Sequence, residues 1–280
     1  MTLSLVLAFV AAFSATPIFA LDSSDAARGV RLYNDGRYAE SRAVLERVAE
    51  EGLAGPLELT VLGMAHTMLG EYDRAEIVLA RAESLDPFAA VVHIAWGTLA
   101  FQQGDYGSAY ESFGLAMRFA PDSPQAREGL VASLANLAIT NYESGDLQAC
   151  ERQLVTARSL DAANPALIEM LIEVRSQLGR TDSLADLYRD LVRVQPENGD
   201  AFARLGMILE AEGDEAAARE AFRDAERLVT ELPYPYLSLA RHGLAHGAPQ
   251  SLTISRLHSA VGKAIRESDR IRLRAVSALD

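Results

Sequence analysis

The chain has 280 residues, of which 49% are hydrophobic, and its formal net charge at pH 7 is −13. This hydrophobic share is enough for a substantial core and excludes a disordered chain. The acidic balance argues against nucleic acid and anionic membranes as partners, because phosphate groups are bound by lysine and arginine.

The first twenty residues contain no charged side chain, and the apolar stretch from Leu3 to Phe13 has the length of a signal-peptide core. Ala20 is an acceptable cleavage residue. We therefore predict a signal peptide over residues 1–20 and a periplasmic or secreted mature chain that begins at Leu21. The alternatives are an uncleaved N-terminal anchor in the inner membrane, since the basic n-region is missing, and an ordinary buried helix. No later segment approaches the roughly 20 apolar residues of a membrane span.

A glycine-centred triplet recurs along the chain at even steps, one of them longer than the rest, at Gly36, Gly70, Gly104, Gly145, Gly179 and Gly213. Apolar residues between these glycines recur at helical spacing, as in Leu59, Leu62 and Ala65. A proline, which cannot continue a helix, follows most units within a few residues. The pattern predicts stacked pairs of helices, each joined by a turn where glycine adopts a left-handed conformation.

Small residues keep the same phase inside the predicted helices. Gly63, Gly97 and Gly206 each lie seven residues before a turn glycine. A glycine inside a helix costs about 1 kcal/mol relative to alanine, so these positions need a reason. We predict that they mark close contacts between helices, with Gly63 facing Ala75 across the hairpin.

These columns resemble the tetratricopeptide repeat (TPR) family, whose pattern is W-x2-L-G-x2-Y, then A-x3-F, then P. Trp96 and Gly97, followed by Ala109 and Phe113, carry the pattern clearly. The resemblance implies an all-α fold, a right-handed α-solenoid of stacked helix-turn-helix units. Six repeats are expected over residues 22–55, 56–89, 90–123, 124–164, 165–198 and 199–233. A degenerate seventh helical pair over 234–266, with Gly247 in its turn, and a basic C-terminal capping helix over 267–280 would follow.

The step from Gly104 to Gly145 is seven residues longer than the others and predicts a long first helix from Ser123 to Ser144. Its second helix, from Leu147, has ordinary length, so about two turns of the first would lack a partner. The insertion is either neutral, in an array that tolerates it, or a ridge that contacts another molecule.

The sequence contains few residues in a pattern that catalysis or metal binding would need. His242 and His246 are four residues apart, as two zinc ligands on a helix would be, but no glutamate lies between them as in H-E-x-x-H, and only His258 is near. The one cysteine, Cys150, excludes an internal disulfide, and its small-residue column predicts a buried thiol. We expect no catalytic residue, no metal and no cofactor, and hence no enzyme.

In the TPR family the first helices line a concave groove that holds partners. Carrying the groove positions over by phase gives these candidates: Tyr33, Met64, Met68, Ile94, Thr98, Phe101, Tyr142, Glu169 and Glu173. The same phase adds Met207 and Glu210. The groove would be apolar in the early repeats and acidic in the late ones, which suits an apolar or amphipathic segment of a protein or peptide partner.

The resemblance thus implies a non-enzymatic exported scaffold that binds a protein partner, in an envelope, secretion or pilus assembly. The alternative is a self-associating structural module, a homo-oligomer in which a second copy fills the groove.

Overall fold

The computed structural model describes the backbone of residues 25–277 and the side chains of residues 25–266. Within this range the chain forms fourteen α-helices and no β-strand. None of these helices combines the length and the apolar character needed to cross a membrane. The signal peptide predicted over residues 1–20 lies outside the described residues.

The chain divides into two compact units, residues 1–161 and 162–280. The first contains four helical hairpins: α1 (Asp25–Asn34) and α2 (Tyr38–Glu50), α3 (Pro56–Met68) and α4 (Tyr72–Leu85), α5 (Ala90–Gln102) and α6 (Tyr106–Phe119), α7 (Pro124–Glu143) and α8 (Leu147–Leu160). The second contains three: α9 (Pro165–Gln177) and α10 (Leu184–Val194), α11 (Gly199–Ala211) and α12 (Glu215–Arg227), α13 (Tyr234–Ala245) and α14 (Gln250–Ser277).

The turn inside each hairpin is made by a glycine whose φ lies between 69° and 88°, a range that favours glycine: Gly36, Gly70, Gly104, Gly145, Gly179, Gly213 and Gly247. The predicted turn positions are therefore confirmed. Proline occupies the first turn of α3, α7 and α9, where its missing N–H is not needed.

In hairpins whose first helix carries a glycine at the predicted position, the two helices approach closely. A Cβ atom placed on Gly63 would lie 2.5 Å from the side chain of Leu79, and one on Gly206 would lie 2.5 Å from the ring of Phe222. The predicted close contact at Gly63 is confirmed, with Leu79 rather than the Ala75 side chain as its partner. Leu79 and Phe222 are fully buried in the cores of their respective units.

The long helix α7 differs from the other first helices at one end. All three of α3, α7 and α9 end two residues before their turn glycine, so the extra turns of α7 lie at its N-terminal end. Ala126 is fully buried there, and a Cβ atom on Gly129 would lie 2.4 Å from the ring of Phe113 on α6. The prediction that two turns lack a partner is wrong, because the preceding second helix covers them.

Helix α14 runs without a break from Gln250 to Ser277. The residues expected to form a separate cap, 267–280, instead continue the second helix of the seventh hairpin as far as Ser277. The physical reason is that neither glycine nor proline occurs between Gly262 and Ser277 to end the helix.

Candidate partner-binding site

The candidate groove residues of the early repeats lie on first helices of the first unit. Met64 on α3 is 5% exposed and belongs to a core cluster with Leu79 and Leu99. Thr98 on α5 is also 5% exposed, and its hydroxyl donates a hydrogen bond of 2.8 Å to the carbonyl oxygen of Ile94. Neither side chain is open to a partner, so the placement of these two residues on the groove surface is wrong.

Of four further candidates in this unit, three are half-buried and one is exposed. Tyr33 packs against the same core cluster, and burial raises the pKa of its hydroxyl. Ile94 and Phe101 pack against a second cluster that contains Phe113. Met68 alone is exposed, at 38%. These side chains therefore do not together form the apolar groove surface expected in the early repeats.

The physical reason lies in the composition of α3. The helix is buried at every position from Leu59 to Thr67, a stretch without an acidic residue, lysine or arginine. A helix that is apolar on all sides is buried on all sides, and α3 contacts α1, α4 and α5 as well as α2. The side that faces the groove in an open array is therefore closed here by packing.

The remaining candidates differ in exposure. Tyr142 on α7 is half-buried, whereas Glu169 and Glu173 on α9 of the second unit are exposed. The side-chain amide of Gln195 donates to Glu169 at 3.2 Å, and that of Gln177 donates to Glu173 at 2.7 Å. Both carboxylates stay at the surface of α9, where they give this face a negative charge.

The second unit also exposes apolar residues at the groove positions of α11 and α13. Met207 is 40% exposed, Leu237 is 49% exposed and Leu244 is 69% exposed. Our sequence analysis missed the last two, because we ended the candidate groove at the sixth repeat. The signal was present: Arg241 and Leu244 lie one repeat length after Met207 and Glu210 and so continue the same phase.

A shallow cleft of about 250 Å³ opens at this place, lined by Tyr234, Leu237, Ser238, Arg241, Leu244 and Leu257. Its lining is mainly apolar. A cleft of this kind can hold an apolar side chain, while the polar groups at its edge orient the backbone that carries it.

The polar edge is organised by Glu210, the last groove residue of α11. One carboxylate oxygen accepts hydrogen bonds from the Ser238 hydroxyl at 3.0 Å and from the Arg241 guanidinium at 2.7 Å. The other accepts from the Tyr234 hydroxyl at 2.8 Å, which raises the pKa of that phenol. Three of the side chains that line the cleft are thus held in place by one carboxylate.

The histidine pair lies at the C-terminal end of α13, with His242 in the helix and His246 directly after it. The rings of His242 and His246 lie 4.0 Å apart, and the Arg219 guanidinium lies 2.9 Å from Nε2 of His242. Burial, His246 and Arg219 all lower the pKa of His242, in that order. In the described part of the chain, no three histidine, cysteine or acidic residues lie together as metal ligands would.

Cys150 is fully buried, as predicted, and carries a free thiol. Burial and the nearby carboxylates of Asp146 and Glu151 raise its pKa to about 11. A protonated thiol without access to solvent is a poor nucleophile, so this residue belongs to the core.

These observations define an all-α helical-repeat protein that presents a cleft on its second unit. A family model for the tetratricopeptide repeat matches residues 26–90 and 170–233, a little under half of the chain. The match supports tetratricopeptide repeats in both units. Comparison with curated protein sequences gives no significant match.

Several solved structures resemble the chain. The C-terminal part of a TPR repeat-containing protein from Cytophaga hutchinsonii has a TM-score of 0.52 at 10% identity, over 84% of this chain and 93% of that one. PilF of Pseudomonas aeruginosa has a TM-score of 0.37 at 17% identity, over 72% and 88%. YrrB, described as a TPR protein with an unusual peptide-binding site, has a TM-score of 0.41 at 16% identity, over 66% and 91%. The first likeness confirms the predicted fold class.

Proposed function

We propose that the protein is a non-enzymatic exported scaffold that binds an apolar or amphipathic segment of a protein partner on the concave face of its second unit. Proteins with tetratricopeptide repeats generally act as scaffolds for protein–protein interaction. The observation that carries the proposal is the cleft on α13, where Leu237 and Leu244 are exposed beside the ordered Glu210 carboxylate.

The surroundings of the cleft indicate the chemistry of the partner. A leucine-sized apolar side chain suits the cleft, because Leu237 and Leu244 supply its walls. Glu169 and Glu173 sit at groove positions of α9 in the same unit and are exposed. We therefore expect a segment in which apolar anchors alternate with basic residues, since opposite charge raises the rate of encounter.

Export places this activity in the cell envelope, in a secretion, pilus or outer-membrane assembly. That part of the proposal rests on the uncharged apolar residues 1–20. It can fail without affecting the binding site, because the cleft lies wholly within residues 234–257.

The binding site can be tested with peptides selected on the purified chain from a random displayed library and then synthesised. Leu244→Glu should weaken their binding at least tenfold, because it places a charge in an apolar cleft. The matched control is Ile77→Glu, since Ile77 on α4 is 72% exposed and lies outside the second unit. Fluorescence anisotropy gives both affinities. Equal affinities for the two variants would place binding elsewhere.

A further inference from the structure

The outer side of α14 carries an apolar stripe of Ile254, Val261 and Ile265, here called the α14 stripe. These side chains are 44%, 58% and 58% exposed. At 3.6 residues per turn they lie within about 40° of one another on the helix surface. Apolar residues spaced seven and four positions apart form the face through which one helix packs against another.

The opposite side of α14 is held inward by its basic residues. The Arg256 guanidinium donates to both carboxylate oxygens of Glu226, each at 2.8 Å. The Lys263 ammonium is 6% exposed, 3.7 Å from the Glu231 carboxylate and 5.1 Å from the centre of the Tyr236 ring. Because these contacts lie about 180° around the helix from the stripe, they fix α14 with the stripe facing solvent.

The charge around the stripe is unusual for so acidic a chain. Residues 232–266 contain no acidic residue, although the net charge of the chain is −13. All four basic residues of this range pair with a glutamate that precedes it, at 2.7 to 3.7 Å: Arg241 with Glu210, Arg256 with Glu226, and Lys263 and Arg266 with Glu231. Within residues 232–266 the surroundings of the stripe therefore lack the acidic excess of the rest of the chain, and the stripe itself carries no charge.

We propose that a second copy of this chain covers the stripe, with the two α14 helices antiparallel about a two-fold axis. Such an axis brings the same surface of both copies together and closes the assembly at two. Two chains of charge −13 repel each other wherever their acidic surfaces meet. The α14 surface over residues 250–266 contains no acidic residue, so two copies can approach there with less of that repulsion and bury the apolar stripe.

The stripe and the peptide cleft share no residue, although Leu257, which lines the cleft, also lies on α14. The proposed dimer also differs from self-association through the concave groove. The stripe exposes an apolar surface of at most a few hundred Å², which is small for a protein–protein interface, so we expect a weak dimer with a dissociation constant on the order of micromolar.

The test is sedimentation equilibrium of the full chain from about 1 to about 200 µM, a range that brackets a micromolar constant. The expected result is a reversible dimer. Val261→Glu should raise its dissociation constant at least tenfold, because it sets two carboxylates against each other. Ile77→Glu, which likewise replaces an exposed aliphatic side chain by glutamate but on α4, should leave it unchanged.

A monomer at the highest concentration overturns the proposal and leaves the stripe to another occupant. So does a dimer that Val261→Glu does not weaken, since it would use another surface. Circular dichroism and the melting temperature show that both variants fold.

Site-specific crosslinking gives a second measurement. Cys150 is buried, so a bifunctional maleimide reads an introduced surface thiol. Val261→Cys should yield a crosslinked dimer, whereas Ile77→Cys should not. Equal yields from the two variants would also overturn the proposal. Peptide binding measured on the same proteins separates a failed dimer from a failed peptide site.

Discussion

Phe113 occupies a slot between two glycines on different helices. A Cβ atom on Gly97 of α5 would lie 2.9 Å from its ring, and one on Gly129 of α7 would lie 2.4 Å from it. Both distances are shorter than real Cβ contacts, so the ring fits only because each helix lacks a side chain there. Gly97 thus allows close contact within a hairpin, and Gly129 allows close contact between neighbouring hairpins.

The slot predicts opposite effects for two glycine-to-alanine changes. Gly129→Ala should lower the free energy of unfolding by about 1–3 kcal/mol, because the buried ring cannot move away. Gly114→Ala on α6 should raise it by about 0.5–1 kcal/mol, because nothing lies within 4 Å and alanine favours the helix. Urea unfolding followed by circular dichroism gives both values. Equal changes in the free energy of unfolding of the two variants would contradict this packing.

Phe101 was a candidate for the groove surface, but its packing predicts a structural role. Its ring packs against the Phe113 cluster and stands edge-on to Tyr106, with ring centres 5.2 Å apart. Phe101→Ala should therefore lower the free energy of unfolding by about 2 kcal/mol. Phe88→Ala is the control, since Phe88 is 70% exposed and its loss should cost less than about 0.5 kcal/mol. If both variants melt at the wild-type melting temperature, Phe101 is not a core residue and is again a candidate for partner binding.

Helix α7 shows how an insertion can be absorbed. Seven residues are close to two helical turns, so the helix keeps its faces in phase while it lengthens. The added turns, residues 124–130, bury Ala126 and bring Gly129 against α6. The insertion therefore enlarges the contact between two neighbouring hairpins, whether or not it also meets another molecule.

The packing of α7 predicts its hydrogen exchange. Amides of residues 128–132 should exchange as slowly as those of Leu134 and Ala138 farther along α7, because opening either part exposes buried side chains. Exchange measured by mass spectrometry on peptides from the two halves makes the comparison. Fast exchange confined to the first half would mean that these turns stand free of α6, as the sequence had led us to expect.

Export is predicted from residues 1–20. Secretion of the chain with cleavage after Ala20 should leave Leu21 as the first residue of the mature protein. N-terminal sequencing of protein purified from fractionated cells checks both the cleavage and the compartment. Recovery of Met1 or Thr2 in a membrane fraction would favour the uncleaved anchor, and recovery of the intact chain in the cytoplasm would refute export.

The helical hairpins could be predicted because their signals are local. A glycine is needed wherever the turn has positive φ, and the seven observed turns fall at glycines that the repeat phase had marked. Proline and small residues add signals of the same kind, since each acts on its own helix or on the one beside it.

The binding surface depended on tertiary packing instead. The repeat phase puts Thr60 and Leu237 at equivalent positions, each ten residues before its turn glycine, yet Thr60 is fully buried and Leu237 is 49% exposed. Periodicity reports the direction in which a side chain points, whereas exposure depends on how closely the neighbouring first helices approach. Close packing of α3 against α5 buries the early groove positions, whereas the α13 cleft leaves the late ones exposed. The candidate site therefore lies in the second unit and not in the first.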